Sequence, residues 1–286
     1  MPLLEHISLL FWMLRPRTIF LRRSSRAMGD NLLLSTLLPA LRLRFPRHRI
    51  VVETAFPELF RHHPHVAWAT RAHWATTSRH LKPRYRVLPG EKHSLYTQLA
   101  HSIGLDSASP PQLTLLPRER EAARRRVDGT YICLCPVGKR GFCNNRKEWG
   151  CDRFQELVDQ WDGPKFVQIG SPVDPLLKRV HDLRGLSLRE SAALLANASA
   201  FLGLEGGLMH LAKAVECPAV ILYGGLVARE VSAYPDHVVL ASTPSCAPCF
   251  SSEFPLEPCE GMECMRAISV EQVAAALRKL LDACNK

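Results

Sequence analysis

Apolar positions along the chain follow two alternating rhythms. Short unbroken runs at 18–22 (TIFLR), 49–53 (RIVVE), 131–135 (YICLC), 165–169 (KFVQI), 200–204 (AFLGL) and 219–223 (AVILY) predict buried strands. Between them, apolar residues recur every three to four positions and predict helices. Leu32, Leu33, Thr36, Leu37, Ala40 and Leu41 share one face, and Phe45-Pro46 stops that helix. The same spacing predicts helices at 94–103, 151–160, 174–182, 188–197, 208–215 and 268–283, and a charged one at 118–126. A further strand is expected at 84–88. Strands alternating with helices predict parallel sheets of α/β type. Pro110–Pro117 starts a linker, which sets a first domain at 1–125 and a second at 126–286.

The stretch 200–225 organises the rest. It reads strand, turn at Glu205-Gly206-Gly207, helix, strand, and a second turn at Gly224-Gly225. Two glycines before a helix let a ligand approach the backbone closely. The free N–H groups and the dipole of that helix favour an anion, so Gly206, Gly207, Leu208 and Met209 are candidate diphosphate contacts. The same pattern also serves as plain βα geometry, and His210 one turn on fits a structural or a ligand-facing role. Asp30, at the start of an earlier helix after Met28-Gly29, fits an N-cap or a functional carboxylate. His62, His63 and His65 surround Pro64 and read as a loop.

Charge sharpens the picture at one end. Residues 1–50 carry nine arginines against Glu5 and Asp30, a balance of +7 within a chain total of +10. This fits a solvated arginine face or an anionic partner: a membrane surface, lipopolysaccharide or nucleic acid. The apolar run Ile7–Leu14 is too short to span a bilayer and lies before its arginines rather than after them, against a secretory signal. It fits an interfacial membrane helix or a helix packed on the first domain. No RNA-binding or helix-turn-helix pattern supports a nucleic-acid role.

Cys246-Ala-Pro-Cys249, then Cys259 and Cys264, stand within a loop rich in proline. Four thiolates at this density point to a structural zinc or iron, with free thiols and disulfides as the alternatives. A fully thiolate-ligated metal has no open position for catalysis.

Several motifs together resemble glycosyltransferase family 9, the ADP-heptose:lipopolysaccharide heptosyltransferases and their relatives. Glu205-Gly206-Gly207-Leu208-Met209-His210-Leu211-Ala212, followed by Tyr223-Gly224, resembles the family's Asp-Thr-Gly-x-x-His-Leu-Ala and Tyr/Phe-Gly. Here Glu-Gly replaces Asp-Thr. Met28-Gly29-Asp30 resembles its first glycine turn. Lys147-Glu148-Trp149-Gly150 resembles its Lys-x-Trp-Pro, with Gly150 for the proline. A similar cysteine segment occurs in part of the family, some members of which carry iron.

The resemblance implies a GT-B fold, two Rossmann-like domains facing each other across a cleft. It implies inverting transfer of a sugar, by family heptose from ADP-heptose, to a glycan, lipopolysaccharide-core or protein hydroxyl. Asp30 would be the catalytic base. Lys147, with Lys139 and Arg140 as alternatives, would join Glu205–His210 at the donor, and no catalytic metal is expected. The location implied is cytoplasmic, peripheral at the inner membrane. Two rival readings are a non-catalytic nucleotide or glycan binder, and a basic nucleic-acid-binding protein.

Overall fold

The computed structural model describes residues 11–71, 78–87, 90–138, 143–250 and 256–284. The chain divides into two compact units, 1–86 with 93–116, and 87–92 with 117–286.

The first unit is built on a four-stranded sheet of order β3-β2-β1-β4, with β1 Thr18–Arg22, β2 Arg49–Glu53, β3 Trp68–Thr70 and β4 His80–Leu81. All its pairings are parallel. Phe20, Leu21, Ile50, Val51 and Val52 are buried, as runs covered on both faces must be. The first predicted helix is present but interrupted: α-helices Met28–Leu32 and Leu38–Arg44 flank a 3-10 turn at Leu33–Leu37. Ser35 and Thr36 cause much of this. Their hydroxyls donate back to the carbonyls of Leu32 and Leu33 at 2.7 Å, and the Thr36 carbonyl accepts from the Ser109 amide.

The strand expected at 84–88 is absent over 84–87, and residue 88 lies outside the described residues. Its amides are taken elsewhere: Arg84 N–H donates to Ser102 Oγ and Arg86 N–H to Gln98 Oε1, both from the helix Leu95–His101 and its end. The pairing strand is β4 instead. The first half of the N-terminal apolar run, residues 7–10, lies outside the described residues; Phe11 and Leu14 at its end are exposed. Among the described residues no helix is long and apolar enough to cross a membrane.

The second unit carries six parallel strands in the order β10-β9-β8-β5-β6-β7: β5 Tyr131–Leu134, β6 Lys165–Gln168, β7 His181–Asp182, β8 Ala200–Leu204, β9 Ala219–Tyr223 and β10 Val238–Ala241. The helices Cys151–Gln160 and Val270–Cys284 bury Phe154, Leu157, Val273 and Leu277 against one face. The charged helix Pro117–Arg124, read from the sequence as the end of the first domain, groups with this unit. Glu119 on it pairs with the buried Arg189 at 2.6 Å, and Asn197 Nδ2 donates to the Arg120 carbonyl.

No helix forms at 174–182. The fully buried side chain of Gln168 donates to the Pro175 carbonyl at 2.7 Å and accepts from the Leu177 amide at 2.9 Å. Backbone groups satisfied this way gain nothing from a helix, and the segment runs on as turns into β7.

Candidate functional site

In parallel α/β sheets, ligands sit beyond the carboxyl ends of the strands. The second unit gathers its predicted residues there. β8 ends at Leu204, and the Glu205 amide still donates to the Leu222 carbonyl, so Glu205 leaves the sheet at a fixed point. Gly206 follows with φ 152° and ψ −158°, a region essentially open to glycine alone. A Cβ here would meet no atom beyond its chain neighbours within 4 Å, so the space beside the turn is open. The helix Gly207–Ala214 starts with no side chain capping it, leaving its first amides available. Met209 is buried beneath, and Tyr223 donates its hydroxyl to the Met209 sulfur, tying the helix to β9.

Lys147 reaches this turn from the other side. Its ammonium forms an ion pair with Glu205, both largely buried. Lys147 packs under Gly138, whose added Cβ would lie 3.5 Å from Lys147 Cβ and 3.6 Å from the end of Leu204. Two residues singled out separately in the sequence, 58 positions apart, thus meet at one point. Lys139 and Arg140 lie outside the described residues.

The loop carrying Lys147 is held from beyond the site. Asn145 Nδ2 donates to the Cys259 carbonyl at 2.9 Å, and the Cys259 amide donates to Asn145 Oδ1 at 2.8 Å. Arg146 Nε donates to the Glu257 carbonyl, and Trp149 Nε1 to that of Ile268. Gly150 then takes φ 108° before the next helix, a conformation closed to proline. That accounts for the departure from the Lys-x-Trp-Pro pattern. Neither the Asn145 bridge nor the Arg146 contact was legible, because each partner lies more than 100 residues away.

The cysteine segment therefore packs against the Lys147 loop. Cys249 donates its amide to the Gly225 carbonyl, and a Cβ on Gly225 would lie 3.5 Å from Cys264 Cβ. Cys246 is exposed, Cys249 and Cys259 half-buried, and Cys264 buried. Among the described residues, no three Cys, His, Asp or Glu side chains are gathered to hold a metal ion.

His210 sits in a buried aromatic cluster: its Nδ1 is 2.7 Å from the Tyr234 hydroxyl, and Tyr234 stacks edge-on against His237. Burial lowers the His237 pKa to about 4. What His210 visibly does is anchor the Gly207–Ala214 helix to the 234–237 loop.

In the first unit, Ala27 and not Asp30 is the N-cap of the helix Met28–Leu32. Asp30 lies in its first turn, one quarter exposed, and accepts hydrogen bonds from the Tyr85 and Ser25 hydroxyls, with Arg23 Nη2 at 3.5 Å. Asn31 fixes this turn through bonds to the Ser25 and Ala27 carbonyls and from the Thr54 hydroxyl. At the ends of β1 and β2, buried Glu53 pairs with Arg22 and lies 3.5 Å from the ring of His80. That cluster is not legible from sequence, since each member sits on a different strand.

Comparison with known proteins bears out the resemblance read from the motifs. Residues 177–260 match the sequence model of glycosyltransferase family 9 (heptosyltransferase). No curated protein matches the chain. Among solved structures, a family 9 glycosyl transferase from Veillonella parvula shares 16% identity at a TM-score of 0.71, covering 94% of this chain and 98% of that one. The iron-containing dodecameric glycosyltransferase TibC from enterotoxigenic E. coli shares 18% at 0.74, covering 93% and 76%. It has also been solved with ADP-D-β-D-heptose. The E. coli ADP-heptose lipopolysaccharide heptosyltransferase II shares 19% at 0.71, covering 94% and 100%. The chain thus has the α/β fold of family 9 enzymes.

Proposed function

We propose that the protein is an inverting glycosyltransferase that takes a sugar from a nucleoside diphosphate, with ADP-heptose the expected donor. The observation that carries this reading is the meeting of Lys147 and Glu205 beside the open, uncapped helix start at Gly206-Gly207. Backbone N–H groups at 207–209 and the Lys147 ammonium would take the charge that builds on the leaving diphosphate. These fixed positive groups can do the work of a divalent cation, so no catalytic metal is part of the proposal. Glu205 is then free to accept from a donor hydroxyl as Lys147 turns to the phosphates.

Asp30 would take the proton from the acceptor hydroxyl as it attacks the anomeric carbon. The acceptor class is a glycan, a lipopolysaccharide core or a protein hydroxyl. A cytoplasmic location at the inner membrane belongs to the proposal, supported by the basic first fifty residues and by exposed Phe11 and Leu14. A structural zinc or iron at Cys246, Cys249, Cys259 and Cys264 rests on their spacing alone. Metal analysis of the purified protein tests it, with one equivalent expected.

The donor site is tested by thermal stability against ADP, UDP, GDP and CMP at about 1 mM. A ligand at about 100 times its dissociation constant stabilises by about 2.7 kcal/mol. A shift with ADP and not with the others is expected. No shift with any of them sinks the donor reading and favours a chain without turnover.

A further inference from the structure

Asp30 receives more support than a helix-start carboxylate requires. The Ser25 hydroxyl donates to Oδ2 at 2.6 Å from the β1–helix turn. The Tyr85 hydroxyl donates to Oδ1 from a segment 55 residues away. Arg23 joins the two: its guanidinium lies 4.4 Å from the centre of the Tyr85 ring and 3.5 Å from Asp30 Oδ2, and its Nη1 donates to the Pro83 carbonyl. The irregular run 82–87 is thereby folded back over the turn.

An ionised carboxylate has about four acceptor positions. Two hydroxyls fill one on each oxygen, and Arg23 stands off at ion-pair distance. The carboxylate is left oriented, partly exposed, and with acceptor capacity unfilled.

We propose that Tyr85 is a positioning residue for the sugar-transfer reaction, holding the Asp30 carboxylate through Oδ1 so that its remaining acceptor edge meets the acceptor hydroxyl. This rests on the reading of Asp30 as the base. Tyr85 suits the task chemically, because burial, and after it the charge of Asp30, pushes its pKa well above the ordinary phenol value. It stays a donor, and takes no proton from the substrate itself. Arg23 in turn holds the Tyr85 ring by stacking.

The test compares Tyr85→Phe, Asp30→Asn and the double variant. Each is followed by ADP release from ADP-heptose with a heptose-deficient lipopolysaccharide core as acceptor, and by thermal unfolding. Tyr85→Phe keeps the ring, so the melting temperature should move little and the donor KM should hold. Its kcat should fall about 10- to 100-fold, the size expected for a lost hydrogen bond to a charged group. On the slow residual turnover of Asp30→Asn the same change should cost nothing further, as two residues acting through one contact require. Full kcat in Tyr85→Phe, with Asp30→Asn strongly slowed, overturns the role of Tyr85 and leaves the base intact. A kcat loss in Tyr85→Phe that persists undiminished in the Asp30→Asn background also overturns it. Turnover undiminished by Asp30→Asn, or absent from the wild-type protein, removes the base and the proposal with it.

Discussion

Replacing Gly206 by alanine separates backbone strain from steric clash at the proposed donor site. The residue sits at φ 152° and ψ −158°, where only glycine is at ease, yet a methyl group there would touch nothing within 4 Å. The cost is therefore conformational, about 1–3 kcal/mol for holding an L-residue in such a region. For a unit of about 170 residues, each kcal/mol lowers the melting temperature by about 2–4 °C, giving a fall of roughly 2–12 °C. Calorimetry measures it directly. The same methyl group stands where the diphosphate would approach the uncapped amides, so ADP stabilisation should shrink as well. Gly225→Ala is the contrast: its Cβ would lie 2.8 Å from Ala247 Cβ, and its cost is steric. A melting temperature unchanged within about 1 °C in Gly206→Ala would refute the conformational argument. Undiminished ADP binding would move the anion away from this helix start.

Lys147→Ala should weaken ADP binding about 10- to 100-fold, as loss of a charged hydrogen-bond partner does, measured by calorimetric titration. Asn145→Ala should weaken it less, through a looser Lys147 loop, and equal affinities would show that the Cys259 bridge does not position Lys147. Acid should destabilise the fold in a set window. Burial lowers the pKa of both His63 and His237 to about 4, so below pH 6.5 the unfolded chain binds protons that the folded chain refuses. Stability is fully present above pH 6.5 and falls as pH drops from there toward 4; His237→Phe should flatten part of that fall in urea titrations at pH 7.5 and 5.

Where structure depends on near neighbours, the sequence is legible. The runs at Thr18–Arg22, Ala200–Leu204 and Ala219–Tyr223 are strands, and Gly206-Gly207 does open a helix. Motif resemblance located Lys147 and Glu205 separately, and the fold brings them together. The misreadings share one cause. At 84–87 and 174–182 the pattern looked regular, but the side chains of Gln98, Ser102 and Gln168 took backbone hydrogen bonds. The short strands β3, β4 and β7 have too few residues to show a period. The partners of Asp30, Lys147 and Glu53 lie on other segments, where no local pattern can show them.

The central claim is that Asp30 and the Lys147–Glu205 turn serve one transfer reaction. ADP release from ADP-heptose, with and without a heptose-deficient lipopolysaccharide core, measures it most directly in the wild-type protein and in Asp30→Asn. Acceptor-dependent release by the wild type is predicted, with turnover cut to a slow residual rate and ADP stabilisation kept in Asp30→Asn. Equal turnover in both proteins, or no release by the wild type from ADP-heptose or any other nucleotide sugar, would contradict it.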